Sequence, residues 1–187
     1  MGKVKLYDAL KASYGHKENE ANLIKNGYIK DNEFSSHNQS VYYNPKKKKL
    51  LYAVAGTHNL TDIGTDILLA RGKLKDSKRF KEAEEVLKKS KEKYHPAKTT
   101  LVGHSLGASI TSYLGDDKDK RHTLDAGYTI GQPTRNNGHH YRTKGDIVSL
   151  LGANATHMKS LNNPHNGSNY FFKAHDIDNI VNHELYV

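Results

Sequence analysis

Residues 100–109 read TLVGHSLGAS, and within them Gly103-His104-Ser105-Leu106-Gly107 spells G-x-S-x-G. An apolar, strand-like run leads into this pentapeptide and the helix-compatible LGASITSYL leads out of it. Alone the motif would suit an ordinary turn serine, but in that context the pentapeptide is expected to make a sharp strand-to-helix turn with Ser105 at its tip as a candidate nucleophile. Such a turn forces its central residue into an unfavourable backbone geometry, and glycines two positions to either side remove the clashes that would forbid it. Ser105 is therefore expected at the C-terminal edge of a sheet. The N–H of Leu106, at the helix start, is expected to point into the same space as half of an oxyanion hole.

A serine hydroxyl is a poor nucleophile at neutral pH, so an imidazole must take its proton during attack and return it to the leaving alcohol. A carboxylate must then hold the imidazole tautomer and stabilise the imidazolium that forms. The chain offers 12 histidines and 20 acidic residues, so composition does not choose among them. Asp62 and Asp66, at i,i+4 in TDIGTDILLARG, have the look of general bases, although Asp62 equally suits the first turn of a helix. Asp125, in TLDAG, reads as structural. The adjacent His139 and His140 lack the H-E-x-x-H type of spacing that marks a catalytic metal. With no cysteine there is no thiolate site, disulfide or cysteine nucleophile. No metal and no cofactor is expected.

The elements that must position such a site follow from the pattern of apolar residues. Val4, Leu6, Ala9, Leu10 and Ala12 predict a short helix ended near Gly15. The run SVYYNPKKKKLLYAVAGT predicts a hairpin turning at Asn44-Pro45-Lys46-Lys47, whose second strand, over residues 50–54, is apolar enough to be covered on both faces. The lysines at 46–49 read as a solvated hairpin tip, with a phosphate-binding or nuclear-import patch as the alternative. A helix is expected over residues 61–72. A second, with Phe80, Ala83, Val86, Leu87, Ser90 and Tyr94 in one stripe, is expected over 77–94 and stopped by Pro96. Buried strands follow at 99–102 and in TLDAGYTIGQP, with a helix at 106–114 between them. Residues 152–167, rich in Asn, Ser, His and Gly, read as a long loop. Alternating strands and helices of this kind predict an α/β sandwich with a mostly parallel central sheet.

Four segments in order resemble the class 3 (fungal-type) lipase family of α/β-hydrolases. YAVAGTHNLTDIGTD resembles that family's strand ending in R-G-T, LVGHSLGAS its nucleophile elbow, TIGQPTRNNG its G-x-P turn, and YRTKGDIVSLL its D-x-V segment. The resemblance spans residues 50–180 and implies a three-layer α/β-hydrolase sandwich, trimmed relative to the family. Carried over residue by residue, it implies Ser105 as nucleophile, Asp146 as the orienting acid and Thr57 as the second oxyanion donor beside Leu106. The family order places the histidine after Asp146. His175, in FFKAHDIDNI, is the assignment, and His183 the fallback; Phe171 and Phe172 would anchor its loop. Asp62 and Asp66 become bracing residues. The family's Arg before Gly-Thr is Ala55 here, which leaves the bracing of that loop open.

These readings imply a serine carboxylic-ester hydrolase acting on acyl lipid, with an inactive binding or structural protein on the same fold as the alternative. At 187 residues the chain is expected to be a single domain, residues 1–187. The formal charge of +9 favours peripheral contact with an anionic membrane, whereas nucleic-acid binding would be nonspecific in the absence of any recognition motif. Oligomeric state is left open. No run approaches the ~20 apolar residues of a membrane span, and no signal peptide is read at the start, so a soluble protein, cytoplasmic or peripheral to membrane, is expected.

Overall fold

Among the residues described by the computed structural model (3–57, 73–127, 137–150, 158–167, 170 and 173–187), seven strands form one sheet in strict chain order. They are β1 (Ile29–Ser36), β2 (Gln39–Asn44), β3 (Lys49–Val54), β4 (Lys98–His104), β5 (Lys120–Leu124), β6 (Gly138–Thr143) and β7 (Met158–Leu161). The pairs β1–β2 and β2–β3 are antiparallel. From β3 to β7 every pairing is parallel. The sheet is thus mostly parallel and the fold α/β, as expected. The helices are α1 (Leu6–Ser13), α2 (Lys17–Lys25), α3 (Lys78–Tyr94), α4 (Leu106–Tyr113) and the short α5 (Ile147–Leu150).

A parallel sheet that grows in one direction with right-handed crossovers puts its connecting helices on one face. Accordingly α3 and α4 pack together on one side, where Phe80, Ala83, Leu87, Ile110 and Leu114 meet Leu50, Tyr52, Val54 and Leu101. The opposite face needs another cover. It is supplied by α1 with Leu6, Ala9 and Leu10, and by a 3-10 turn, Ile177–Ile180, which together cover Leu51, Ala53, Val102 and Leu124. Three layers result.

Local signals explain where elements begin and end. The β2–β3 hairpin turns at the expected residues: Asn44 Oδ1 accepts the Lys47 N–H at 3.0 Å, and Lys48 takes φ 48°. The Ser77 side chain caps α3 by accepting the Phe80 N–H at 3.2 Å, and His95 ends it in the left-handed region just before Pro96. Two expectations need correction. Residues 158–161 are not loop but strand β7, a sheet edge that buries only Leu161 and so carries little apolar signal. Of the strand expected in TLDAGYTIGQP, the described part is β5, which starts earlier, at Lys120, and stops at Leu124, where Asp125 turns to φ 51°; residues 128–133 lie outside the described residues. The expected helix at 61–72, Asp62 and Asp66 within it, the G-x-P turn, and Phe171 and Phe172 lie outside the described residues.

Candidate active site

The C-terminal ends of neighbouring parallel strands converge, the usual place for a site in an α/β sheet. β3 delivers Gly56 and Thr57, β4 delivers Ser105, β5 Asp125 and β6 Asp146. Ser105 stands between β4 and α4 at φ 57°, ψ −125°, a strained conformation for a residue with a side chain. It is held there from both sides. Its N–H donates to the Leu124 carbonyl at 3.0 Å, and its carbonyl accepts the first helical bond, from Ser109 N–H, at 3.0 Å. A Cβ at Gly103 would run into the Gly107 carbonyl, and one at Gly107 into the Val54 carbonyl, so both flanking glycines are required by close backbone approach. Leu106 opens α4, so its N–H belongs to the first turn, where no intrahelical acceptor exists.

Asp146 begins α5. Its Oδ2 accepts the Ser149 N–H at 2.9 Å, and its Oδ1 accepts the Val148 N–H at 3.2 Å and meets His175 Nδ1 at 2.9 Å. His175 sits just before the 3-10 turn. The Asn179 amide ties its loop by donating to the carbonyls of Lys173 at 2.8 Å and Ala174 at 3.1 Å. The assignment of His175 over His183 therefore has a geometric counterpart, because His183 makes no hydrogen bond to a carboxylate among the described residues. Both Ser105 Oγ and His175 Nε2 are buried and without a hydrogen-bond partner among the described residues, so the structure holds no Ser105–His175 bond. Thr57 lines a recess of ≈ 160 Å³ together with Tyr14, His104 and His175.

Burial draws the His175 imidazole down, but its hydrogen bond to Asp146 and the charges of Asp146, Asp125 and Asp176 outweigh that, leaving it above its ordinary value. Asp146 moves the other way: burial would raise it, and the bonds from His175 and Ser149 bring it below the usual carboxylate range. Asp125 is fully buried, and desolvation followed by repulsion from Asp146 pushes it up to about 7 despite its bonds from the Thr143 N–H and hydroxyl. The two buried carboxylates are thus shifted in opposite directions.

Sequence reasoning missed three bracing groups. Tyr14, on the C-terminal side of α1, accepts the Gly56 N–H at 2.7 Å and stands 2.8 Å from His104 Nδ1. His104 Nε2 in turn lies 2.9 Å from the His175 carbonyl. The carbonyl can only accept, so His104 Nε2 carries a proton, and a neutral ring would then accept from the tyrosine hydroxyl at Nδ1. Burial, then the nearby His175, pushes His104 well below the ordinary histidine range, in keeping with that tautomer. Arg79, on α3, donates to the Ala55 carbonyl at 2.7 Å and the Gly56 carbonyl at 3.4 Å. A guanidinium thus braces the loop after all, from a different element than the resemblance suggested. Nothing in the local sequence of Tyr14 or Arg79 signals these roles, since each partner lies more than twenty residues away.

His104, Asp125 and His175 bring possible ligand atoms within 4.8 Å of one another. They fit a metal poorly. Both nitrogens of His104 are spent on Tyr14 and the His175 carbonyl, which leaves only Asp125 and His175 Nε2 to offer ligand atoms.

No family model and no curated protein matches the chain. Solved structures do. Rhizomucor miehei lipase in its propeptide complex is 13% identical with a TM-score of 0.50, over 78% of this chain and 61% of that one. The N225Q mutant of MDLA from Penicillium cyclopium is 14% identical at 0.50, over 88% of this chain and 78% of that one. A triacylglycerol lipase described as having a serine protease triad at its catalytic centre is likewise 14% identical at 0.50, over 78% and 72%. The chain spans about three fifths of the Rhizomucor lipase. The likeness is one of fold.

Proposed function

We propose that the chain is a serine carboxylic-ester hydrolase acting on acyl lipids. The observation that carries this reading is Ser105 held at a strained strand-to-helix turn, next in the chain to His104, whose ring lies 4.7 Å from that of His175 in a buried His175–Asp146 pair with its outer nitrogen unpartnered among the described residues. In this reading Ser105 Oγ attacks the ester carbonyl as its proton passes to His175 Nε2. Asp146 keeps the other ring proton on Nδ1 and stabilises the imidazolium. The N–H groups of Leu106 and Thr57 receive the oxyanion, and losing one such donor typically costs about 3 kcal/mol of transition-state stabilisation. When the C–O bond breaks, the alcohol leaves with the proton from His175. Water then attacks the acyl-serine with His175 as base, releasing the acid and restoring Ser105.

The fold likeness to triacylglycerol lipases supports acyl esters as the substrate class. A second reading, a binding protein that keeps the fold without the chemistry, is favoured by the absent Ser105–His175 bond. Hydrolysis of a p-nitrophenyl acyl ester separates the two. The expected result is turnover that drops about a thousandfold or more in Ser105→Ala and in His175→Ala. Turnover equal in wild type and Ser105→Ala would overturn the mechanism, and no turnover by folded wild type on soluble or emulsified esters would favour the second reading.

A further inference from the structure

The positive charge of the chain is not spread evenly. At the end of the sheet remote from Ser105, the parallel strands begin with basic residues whose register brings them together. Lys49 pairs directly with Lys98, Thr100 with Lys120, and His122 with His139. Side chains alternate along a strand, so Lys98 and Thr100, and Lys120 and His122, share a face; pairing across strands puts Lys49 and His139 on it too. It is the face that α1 covers farther along the strands. These side chains line a cleft of ≈ 940 Å³. From Lys98 to His104 the strand runs six residue steps, about 20 Å at the usual rise, so the cleft and the Ser105 site occupy opposite edges of the sheet.

Like charges directly opposite one another on neighbouring strands destabilise a sheet. Lys49, Lys98 and Lys120 form no ion pair among the described residues; the two aspartates at the cleft, Asp116 and Asp119, are both engaged by Lys91, at 3.0 and 2.7 Å, and Val187 with its terminal carboxylate lines the cleft as well. Partial burial, then the charges of Lys47, Lys98 and Lys120, hold the Lys49 ammonium below the ordinary amine range. His122 is 4% exposed and stacks on His139 with ring centroids 5.0 Å apart; its Nδ1 has no hydrogen-bond partner among the described residues. Burial first, then His139 and Lys120, lower this imidazole to about 3. Such a concave array of cations and polar rings suits a multiply charged anion.

We propose that the cleft built by Lys49, Lys98, Lys120, His122 and His139 is a binding site for a small soluble ligand carrying clustered phosphates. Clustered phosphate groups occur on soluble metabolites and on lipid headgroups. The location selects the former: acyl lipid would reach Ser105 at the opposite edge, leaving this cleft turned away from that lipid surface. The concave shape also suits a compact ligand better than a flat one. Lys49, the last residue of the lysine run, belongs to this site rather than to the hairpin tip alone.

The test is titration calorimetry of the full chain with sodium triphosphate at fixed ionic strength, with a thermal melt of each variant. One saturable site per chain is expected, weakened about tenfold or more in the Lys49→Gln, Lys98→Gln double variant. The double variant Lys81→Gln, Lys88→Gln, which removes the same charge from the exposed face of α3, should bind as wild type does. Without ligand, the first double variant should melt above wild type, since the facing charges are gone; this also shows that it folds. Should that pair fail to fold, Lys120→Gln alone is expected to weaken binding severalfold. Equal weakening in both double variants, or no saturable binding, would overturn the site. Vesicles of phosphatidylcholine containing phosphatidic acid provide the second arm: retention that depends on Lys49 and Lys98, with no binding of triphosphate, would overturn the soluble ligand in favour of a headgroup. None of these readouts depends on esterase activity.

Discussion

Removing the proposed nucleophile should make the protein more stable, in two separable steps. Ser105 Oγ is buried and unpartnered among the described residues, so Ser105→Ala removes an unsatisfied hydroxyl worth about 1–3 kcal/mol without touching the backbone. Alanine still carries a Cβ at φ 57°, ψ −125°, so the strain remains. Ser105→Gly releases it, a gain of about 1–3 kcal/mol, offset by about 0.5–1 kcal/mol for the greater freedom of glycine in the unfolded chain. Glycine is therefore expected to exceed alanine by up to about 2 kcal/mol, and alanine to exceed serine. For a chain of this size each kcal/mol moves the melting midpoint by about 2–4 °C. Urea unfolding of the three proteins, with m held common, measures both steps. An order of serine above alanine above glycine would refute the assignment of strain to this residue, and with it the argument that the turn holds Ser105 for chemistry.

Further outcomes follow from the neighbouring groups. Asp125 is held at about 7 in the fold against an ordinary 3.8, so the folded state binds more protons across that interval and stability declines as pH rises through it. Asp125→Asn should flatten this slope and be more stable at pH 8 by up to ~4 kcal/mol, about three pKa units at 1.36 kcal/mol each; equal slopes in stability-versus-pH curves would contradict it. Hydrolysis needs neutral His175, whose pKa is raised, so the acid limb of the rate profile should lie above pH 6.5 and move down in Asp146→Asn. An unmoved limb would detach Asp146 from His175. Tyr14→Phe leaves the Gly56 N–H and His104 Nδ1 without the hydroxyl they share, which should cost about 1–3 kcal/mol in unfolding measurements and lower kcat more than it alters KM. A fully active, fully stable Tyr14→Phe protein would remove the tyrosine from the positioning network.

Much of this architecture is legible in the residues. The apolar run of β3, the stripe and Ser77 cap of α3, and the glycines around Ser105 each announce themselves because they are buried on a regular period or forced by a close approach. Elements that bury little are silent: α2 buries only Leu23, and the edge strand β1, of which only Asp31 is buried, shows no alternation of apolar and polar residues. Their polar residues act at long range instead, as when Asp31 pairs with Lys93 at 2.8 Å and accepts from Tyr94 at 2.6 Å. The same holds at the site. Ser105 is flagged by its own neighbours and Asp146 by the segment it lies in, but Asp125, read as structural, also has a carboxylate oxygen within 4.8 Å of a His175 ring nitrogen, a proximity between residues far apart in the chain. Likewise the basic cleft arises from the starts of strands scattered from Lys49 to His139, which only the parallel register brings together.

The most direct measurement is labelling with a fluorophosphonate probe, mapped by mass spectrometry, on wild type, Asp146→Asn and His175→Ala. Phosphonylation needs a serine whose proton is being taken, so the expected result is a single adduct on Ser105 that forms far more slowly in both variants and at unchanged rate in His183→Ala. Well-folded wild type that takes no label with or without lipid vesicles, or labelling of Ser105 that is indifferent to His175, would contradict the proposed serine hydrolase.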